Sequence, residues 1–226
     1  MCGIAGYAGI GTDIRVDSGH IAAMLDRLDH RGPDDNGAVD FPQLVMGNTR
    51  LSIIDVSGGR QPISNEDDTV FIVYNGETYN APELRRELVA KGHIFKTHSD
   101  TEVLLHLYEE EGAAFLKRLN GMFAVSIYDK NKNEVLIARD RFGVKPLYWF
   151  QRDGILAWAS EIKALKVLPE FDSKLSPEGL STFLGLMYIP DPWTAYEHVH
   201  KLRPGHFIRS VPDGVTVQQY YDFDFG

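Results

Sequence analysis

The sequence has only one cysteine, Cys2, among its 226 residues. A single thiol cannot form a disulfide within the chain, and a structural zinc site made of thiolates is excluded for the same reason. Basic runs are missing as well, since no run of Lys and Arg is longer than two residues and the net charge is -9. Nucleic-acid-binding domains usually carry a clustered basic face, so we expect no DNA or RNA partner.

Long hydrophobic segments are also lacking. No stretch approaches the roughly 18 apolar residues of a membrane span, and no basic segment precedes an apolar core at the start of the chain, as it would in a signal peptide. We therefore expect no membrane partner and a cytoplasmic location. Hydrophobic residues make up 43% and charged residues 24% of the chain, which is ordinary for a globular protein. The length suffices for one domain with a substantial core.

The order of the predicted elements indicates an α+β fold with mainly antiparallel sheets. Residues 3–9 and 70–74 form β-prone runs, the second ending at Asn75-Gly76, and residues 44–54 have the pattern of strand, turn and strand. Strand pairs around short turns are predicted at 123–128 with 134–138, 147–150 with 155–159, and 206–211 with 215–220. Two helices follow one another between these groups, and this order argues against alternating strand–helix–strand units.

Capping residues and turn formers delimit the predicted helices. Helices are expected at 21–28, after Asn80, after Ser99, at 161–167 and after Ser176. Asn80 can cap the helix that Gly92 ends, and Ser99 with Glu102 has the spacing of a capping box. Segment 30–37 is rich in turn formers and is predicted to be a loop.

Cys2 lies at a position where it could act as a catalytic nucleophile. If Met1 is removed, which a small following residue permits, Cys2 carries both a thiol and a free α-amine. The amine can accept the thiol proton and later protonate a leaving group, while the sulfur attacks an amide carbonyl. The alternative is a small buried residue of the first strand.

Eight short motifs occur in order along the chain. They are MCGIAGY at 1–7, HRGPDDNG at 30–37, RLSIID at 50–55, GRQPI at 59–63, YNGETYN at 74–80, SDTEV at 99–103, LNGMFAVSIYD at 119–129 and ARDRFGVKPLYW at 138–149. Together they closely resemble the glutaminase domain of asparagine synthetase, a class II glutamine amidotransferase. The resemblance is dense up to about residue 166 and thinner through residues 201–206.

This resemblance implies a fold and a nucleophile. The fold would be that of an N-terminal-nucleophile hydrolase, a four-layer αββα sandwich with antiparallel sheets. Cys2 would attack the side-chain amide of L-glutamine, and Asn75 and Gly76 would form the oxyanion hole. One such hydrogen-bond donor is typically worth about 2.7–4 kcal/mol of barrier. Asn-Gly is also a common turn pair, so a plain turn after the strand is the alternative.

The resemblance also implies how the free amino acid would be held. Arg50 would bind the α-carboxylate, for which a planar guanidinium is suited, with Leu51 and Ile54 of the same motif lining the pocket. Asp100 would bind the α-ammonium, with Glu77 as a secondary contact. The alternatives are a surface salt bridge for Arg50 and, for Asp100, an acidic residue in a first helical turn favoured by the helix dipole.

Three other motifs are assigned structural roles. Arg31 is expected to help shape the loop that closes over the substrate, and residues 140–146 are expected to form a turn that packs the core. Residues 197–200 (EHVH) contain two histidines, but without further ligands they do not make a metal site. We therefore expect no metal in this chain.

Asparagine synthetases carry a second domain that activates aspartate with ATP, and its phosphate-binding loop resembles SGGLDS. Residues 57–59 copy only the first three letters, and in this register SGGRQP matches the glutaminase pattern near the glutamine pocket. We expect no cofactor in this chain, with ATP and Mg²⁺ on an absent synthetase domain or subunit that accepts the ammonia. We expect residues 1–226 to form one amidotransferase domain, with a core at 1–168 and a segment at 169–226 leading toward the synthetase. This favours a fragment of a longer synthetase over a free-standing glutaminase, and the family suggests a homodimer.

Several other functions stay open. The ammonia could feed a different ATP-dependent amidation or cyclisation. An N-terminal-nucleophile hydrolase for other amides is a second alternative, although Arg50 and Asp100 fit a free amino acid better. A nucleotide-binding module using residues 57–59 is a third. A non-catalytic regulatory domain is a fourth, and it would be expected to have lost Cys2, Asn75 or Asp100.

Overall fold

The strands form two six-stranded sheets in a computed structural model that describes residues 1–9, 11, 15–56 and 58–223. Neighbouring strands within both sheets are antiparallel. The first sheet contains β1 (Gly3–Ala8), β2 (Asp35–Phe41), β3 (Leu44–Arg50), β8 (Tyr148–Arg152), β9 (Ile155–Ala159) and β10 (His200–Lys201), in the order β10-β8-β9-β1-β3-β2. The second contains β4 (Ile63–Ser64), β5 (Val70–Thr78), β6 (Gly121–Asp129), β7 (Glu134–Arg139), β11 (His206–Val211) and β12 (Gly214–Gln219), in the order β12-β11-β7-β6-β5-β4.

Helices cover the outer face of each sheet. The α-helices are α1 (Gly19–Asp26), α2 (Ala81–Ala90), α3 (Asp100–Glu111), α4 (Ile162–Leu165) and α5 (Pro177–Leu186), and 3₁₀ turns lie at Asp29–Arg31 and Gly112–Arg118. Buried residues of α1 and α4 pack on the first sheet, and those of α2 and α3 pack on the second. Across the described ranges, no helix is both long enough and apolar enough to cross a membrane.

A third hydrophobic cluster lies between the two sheets. It includes Ile4 and Met46 from the first sheet, Val73 and Ala124 from the second, and the fully buried Trp158. Since helices cover both outer faces, the layers follow the order helix, sheet, sheet, helix. The predicted four-layer αββα arrangement with antiparallel sheets is confirmed.

Strand β1 runs through the middle of the first sheet. It pairs with β3 on one side, with Gly3 opposite Thr49, and with β9 on the other, with Ala5 opposite Ala159. A Cβ atom at Gly6 would lie 2.3 Å from the Trp158 ring, so this close approach requires glycine. This pairing places Cys2, which precedes β1, beside the end of β3.

The prediction that the strand ends at Asn75-Gly76 is wrong. Strand β5 continues to Thr78, with Asn75 opposite Ala124 and Gly76 opposite Phe123 in the ladder with β6. The local turn preference of Asn-Gly is overridden because the partner strand supplies hydrogen bonds along the whole segment. The alternative of a plain turn is therefore excluded.

Two boundaries in the first sheet also differ from the prediction. Strand β2 begins at Asp35, inside the segment 30–37 predicted to be a loop, and its sequence DNGAVDF alternates between exposed and half-buried positions at the sheet edge. Polar residues and glycine at an edge give a weak strand signal. Residues 51–54, predicted to include a second strand, instead leave the sheet as a loop. The other predicted strands are confirmed.

The helix-capping predictions are partly correct. The Ser99 hydroxyl caps α3 by accepting a hydrogen bond from the Thr101 N–H at 3.2 Å. The Glu102 carboxylate does not close the capping box, because it accepts hydrogen bonds from the main-chain N–H groups of Lys96 and Thr97, each at 2.7 Å. Helix α3 is thus tied to the segment that precedes it.

Helix α2 begins after Asn80, but the Asn80 side chain does not cap it. This side chain donates to the Arg118 carbonyl and accepts from the Asn120 N–H, both at 3.0 Å. Gly92, with a φ of +103°, ends the helix as predicted.

Candidate active site

A cleft of about 170 Å³ collects all the residues that the sequence assigned to the site. Its lining includes Cys2, Arg50, Leu51, Ile54, Asn75, Gly76, Glu77 and Asp100. These residues come from the start of β1, the end of β3 and the loop after it, the middle of β5 and the start of α3. Both sheets therefore contribute to one site.

Cys2 is half-buried, and its main chain is anchored. Its Sγ atom accepts a hydrogen bond from the Leu51 N–H at 3.4 Å and lies 3.7 Å from the Leu51 carbonyl oxygen. Arg31 donates from Nε to the Cys2 carbonyl oxygen at 3.0 Å and from Nη1 to the Glu161 carboxylate at 3.0 Å. Arg31 thus braces the main chain of Cys2.

Asn75 presents a hydrogen-bond donor that the protein itself does not use. The residue is 1% exposed and lines the cleft, yet its Nδ2 atom has no partner among the described residues. A buried, unpaired polar group is costly and is rare in folded proteins. A ligand oxygen in the cleft would remove this cost.

Gly76 is required by close packing in the same strand. A Cβ atom there would lie 2.4 Å from the Met122 carbonyl oxygen and 2.7 Å from the Tyr74 ring. The Tyr74 hydroxyl is itself held at 2.8 Å from the Thr78 hydroxyl. Glycine therefore brings the main chain of β5 directly to the wall of the cleft.

Arg50 is 4% exposed, so the surface salt bridge considered for it is excluded. Its guanidinium donates to the carbonyl oxygens of Ile54, Asp55 and Val56, at 3.1, 2.7 and 3.3 Å. These contacts use three of the five N–H groups of an arginine. Arg50 therefore holds the loop that follows β3, and its position in the cleft lining puts a positive charge beside a bound ligand.

Asp100 is a buried acidic residue with no ion-pair partner within the described ranges. It is 8% exposed, and its Oδ2 atom accepts a hydrogen bond from the Thr78 N–H at 2.9 Å. Burial raises the pKa of Asp100 above its ordinary value, and the hydrogen bond from Thr78 only partly opposes this shift. A cation bound in the cleft would stabilise the ionised carboxylate.

The rim of the cleft is more exposed. Glu77 is exposed at the edge of the cleft, and Leu51 is half-buried. Ile54 lies in the loop after β3, next to Ile53, which is 73% exposed. This loop is fixed by Asp55, whose carboxylate accepts hydrogen bonds from the N–H groups of Gly58 and His98 at 3.0 and 2.8 Å.

Gln61 was not assigned to the site individually, although its loop was predicted to lie near the glutamine pocket. Gly59 and Gln61 do line the cleft. Gln61 accepts from the Tyr74 N–H at 2.6 Å and donates to the Thr101 hydroxyl at 3.4 Å, which links the loop to β5 and α3. Ser57, the first residue of the alternative nucleotide-binding segment 57–59, lies outside the described residues, and this alternative stays open.

Lys145 is a cleft residue that sequence reasoning missed. It is 5% exposed and its Nζ atom lies 3.4 Å from the Met1 sulfur. The predicted turn that carries it is confirmed. The buried Asp140 carboxylate organises this turn by accepting hydrogen bonds from the N–H groups of Phe123, Phe142, Val144 and Lys145. No sequence signal showed that the turn reaches the cleft, because the contact depends on tertiary packing.

The sequence model of a family described as the glutamine amidotransferase domain matches residues 1–221. The chain belongs to this family. The glutamine amidotransferase domain is similar to asparagine synthetases [glutamine-hydrolyzing] 3 and 1 of Bacillus subtilis (strain 168), with 37% and 42% identity over 99% and 91% of the chain. A probable asparagine synthetase of Dictyostelium discoideum is 47% identical over 64% of it. The domain spans 37%, 32% and 26% of the length of these relatives. The resemblance inferred from the eight motifs is confirmed.

Solved structures support the fold of the amidotransferase domain. Its structure matches the glutamine phosphoribosylpyrophosphate amidotransferase from B. subtilis complexed with ADP and GMP with a TM-score of 0.72 at 21% identity. The match covers 97% of this chain and 49% of the other. The likeness confirms the predicted fold class.

Proposed function

We propose that this amidotransferase domain hydrolyses L-glutamine to L-glutamate and ammonia, with Cys2 as the nucleophile once Met1 is removed. The observation that carries the proposal is the convergence of three groups on one cleft. They are the Cys2 thiol, the unpartnered Asn75 amide and the buried Asp100 carboxylate. The first is a nucleophile, and the other two lack the partners that a substrate would supply.

The proposed reaction proceeds through a thioester. The Cys2 thiol passes its proton to its own α-amine, and the sulfur attacks the side-chain amide carbon of glutamine. The oxyanion that forms is stabilised by the Asn75 Nδ2–H and the Gly76 main-chain N–H. The α-ammonium group returns the proton to the leaving nitrogen, and ammonia departs. Water then cleaves the thioester, which releases glutamate and restores the thiol.

The charges around the cleft match a free amino acid. The Arg50 guanidinium would face the α-carboxylate, and Asp100 would face the α-ammonium, with Glu77 nearby at the rim. Leu51 and Ile54 would flank the aliphatic part of the substrate. Because Asp100 has no ion-pair partner within the described residues and its pKa is raised by burial, an ammonium group gains more there than it would beside an exposed acid.

We infer that the ammonia serves ATP-dependent asparagine synthesis from aspartate. The inference is supported by the relatives, which are named as glutamine-hydrolysing asparagine synthetases. The acceptor site, ATP and Mg²⁺ would belong to a synthetase domain or subunit outside this sequence. Feeding another amidation or cyclisation is the second candidate. The homodimer, the cytoplasmic location and the division at residue 168 stay predictions.

The test is glutamate release from L-glutamine by protein whose loss of Met1 has been confirmed by mass spectrometry. The matched control is Cys2→Ala, processed in the same way. We expect release by the first protein and none by the second. Equal release from both proteins would refute the assignment of the nucleophile.

If neither protein releases glutamate, the assay is repeated with a synthetase portion from a relative. Release that requires this portion would support the proposal and would show that the domain needs its partner. Continued absence of release, with the fold intact by circular dichroism, would favour the non-catalytic regulatory alternative.

A further inference from the structure

A cluster of two histidines and two glutamates lies apart from the cleft. Its members are Glu66 in the loop between β4 and β5, His93 after α2, and His106 and Glu109 on α3. One ligand atom from each residue can be chosen so that all four lie within 4.8 Å of one another. We propose that this cluster binds one divalent transition-metal ion of the Zn²⁺ type. The sequence analysis expected no metal in this chain, and these four residues come from separate segments that form no motif.

The distances suit a tetrahedral site. His106 Nδ1 lies 2.7 Å from Glu109 Oε2 and 3.9 Å from Glu66 Oε2, and His93 Nδ1 lies 3.9 Å from both Glu66 Oε1 and Glu109 Oε2. Zinc binds imidazole nitrogen and carboxylate oxygen at about 2.0–2.2 Å. Ligand atoms at the corners of such a tetrahedron are separated by roughly 3.3–3.6 Å. To reach this geometry, the atoms at 3.9 Å would move closer together and the pair at 2.7 Å would move apart.

One of the two histidines also has the outer partner that metal-binding histidines use. His93 directs Nδ1 toward the cluster, while its Nε2 lies 3.1 Å from Glu110 Oε1. On His106, Nδ1 faces the cluster, while Nε2 lies 3.8 Å from Glu102 Oε1, beyond hydrogen-bond distance, and has no hydrogen-bond partner among the described residues. A carboxylate on the far nitrogen fixes the tautomer in which the near nitrogen is free to bind a metal. The Glu110 contact therefore leaves His93 Nδ1 available to a metal in the cluster.

The Glu109 carboxylate is oriented in a similar way. Its Oε1 atom accepts a hydrogen bond from the Asn65 side chain at 2.7 Å, which leaves Oε2 directed at His106. Glu66 Oε1 accepts from the Ile94 N–H at 3.2 Å. His93, Glu66 and Glu109 are therefore each held by a neighbour outside the cluster.

The donor set selects the kind of metal. Two imidazoles and two carboxylates suit Zn²⁺ and its first-row neighbours, whereas Mg²⁺ and Ca²⁺ prefer oxygen ligands alone. Two ionised glutamates would neutralise the charge of one divalent ion. His106 is buried, and Glu66 is the most exposed ligand, so the ion would enter from the Glu66 side.

A metal here would join three segments on the outer face of the second sheet. It would connect α3 to the loop after α2 and to the loop before β5. Because α3 begins with Asp100, the ion would stabilise the helix whose first residue lies in the cleft. The role is structural and does not depend on the proposed glutaminase activity.

The test is a calorimetric titration of chelator-treated protein with ZnCl₂, together with thermal unfolding and the visible spectrum of the Co²⁺-loaded form. All proteins carry Cys2→Ala, so that the thiol in the cleft cannot bind the metal. We expect one ion per chain, a higher melting temperature with Zn²⁺, and a Co²⁺ spectrum of the four-coordinate type. Glu66→Gln and His93→Gln should each weaken binding at least tenfold and abolish the rise in melting temperature. Glu66 is exposed and His93 is partly exposed, so these variants should fold.

Two further variants make the test specific. Glu110→Gln, which alters the outer partner of His93 and also removes an ion pair with Lys91, should weaken binding by about 10–100-fold. His198→Gln is the matched control, because His198 also lies within 3.9 Å of two carboxylates, those of Asp172 and Glu197, but outside the cluster. It should leave binding unchanged. The proposal is overturned if Zn²⁺ gives no saturable binding, or if the affinity is the same in Glu66→Gln and His93→Gln as in their parent.

Discussion

The unpartnered amide of Asn75 leads to the sharpest prediction. In Asn75→Ala the donor to the oxyanion is lost, while no hydrogen bond of the folded protein is broken, because Nδ2 has no partner among the described residues. Loss of one oxyanion donor costs about 10²–10³ in kcat, or about 2.7–4 kcal/mol of barrier. We therefore expect kcat for glutamate release to fall by this factor, with a much smaller change in KM.

The same substitution should have little effect on stability. Truncation of a buried side chain leaves a cavity and is unfavourable, but it also removes a buried polar group that costs about 1–3 kcal/mol when it is unpaired. These effects oppose one another, so the free energy of unfolding should change by no more than about 1–2 kcal/mol. Steady-state kinetics and urea unfolding on the same samples would measure the two effects separately.

Asn48→Ala is the matched control for this experiment. Asn48 is also 1% exposed, and both polar atoms of its side chain lack partners in the described part of the chain, but it does not line the cleft. We expect its kcat to stay within a few-fold of the wild-type value. The assignment of the oxyanion donor would fail if Asn75→Ala kept wild-type kcat, or if both variants lost activity equally.

Three further predictions concern binding and folding. Asp100→Asn should raise KM for glutamine at least tenfold in steady-state assays. Because burial raises the pKa of Asp100, the wild-type KM should increase as the pH falls through that pKa and protonates the carboxylate. The KM of the variant should show no such change. Gly76→Ala should lower the free energy of unfolding in urea by about 1–3 kcal/mol, because the new Cβ atom would lie 2.4 Å from the Met122 carbonyl oxygen; an unchanged midpoint would contradict the packing. Asp140→Ala should destabilise by several kcal/mol or prevent folding, since four N–H groups lose their acceptor. The two buried groups, of Phe123 and Lys145, should cost about 1–3 kcal/mol each. Asp140→Asn, which keeps one acceptor oxygen, should be less severe.

Features with local signals could be predicted well. The hairpin of β6 and β7 was identified because two β-prone runs flank a short polar turn, and its register follows from that turn. The start of α3 was identified from Ser99, whose hydroxyl does cap the helix. All the site residues that the motifs named line one cleft. This is the result expected for residues that bind one ligand, because they must converge on it.

Features that depend on partner strands could not be predicted. Asn75-Gly76 has the composition of a turn, and only the ladder with β6 keeps it extended. Strand β2 is polar because it lies at the edge of its sheet, and nothing in its own sequence reveals the partner β3. The position of Lys145 at the cleft also depends on contacts between distant segments.

The alternation of side chains explains why the cleft lies where it does. Side chains two residues apart in a strand point to the same face. Ile4 and Val73 both lie in the hydrophobic cluster between the sheets. Cys2, just before the start of β1, and Asn75, in β5, are therefore directed to that same space from opposite sheets. The nucleophile and the oxyanion donor therefore face each other where the packed layer between the sheets ends. Their separation is set by the packing of the core, so the geometry of the reaction depends on residues that never touch the substrate.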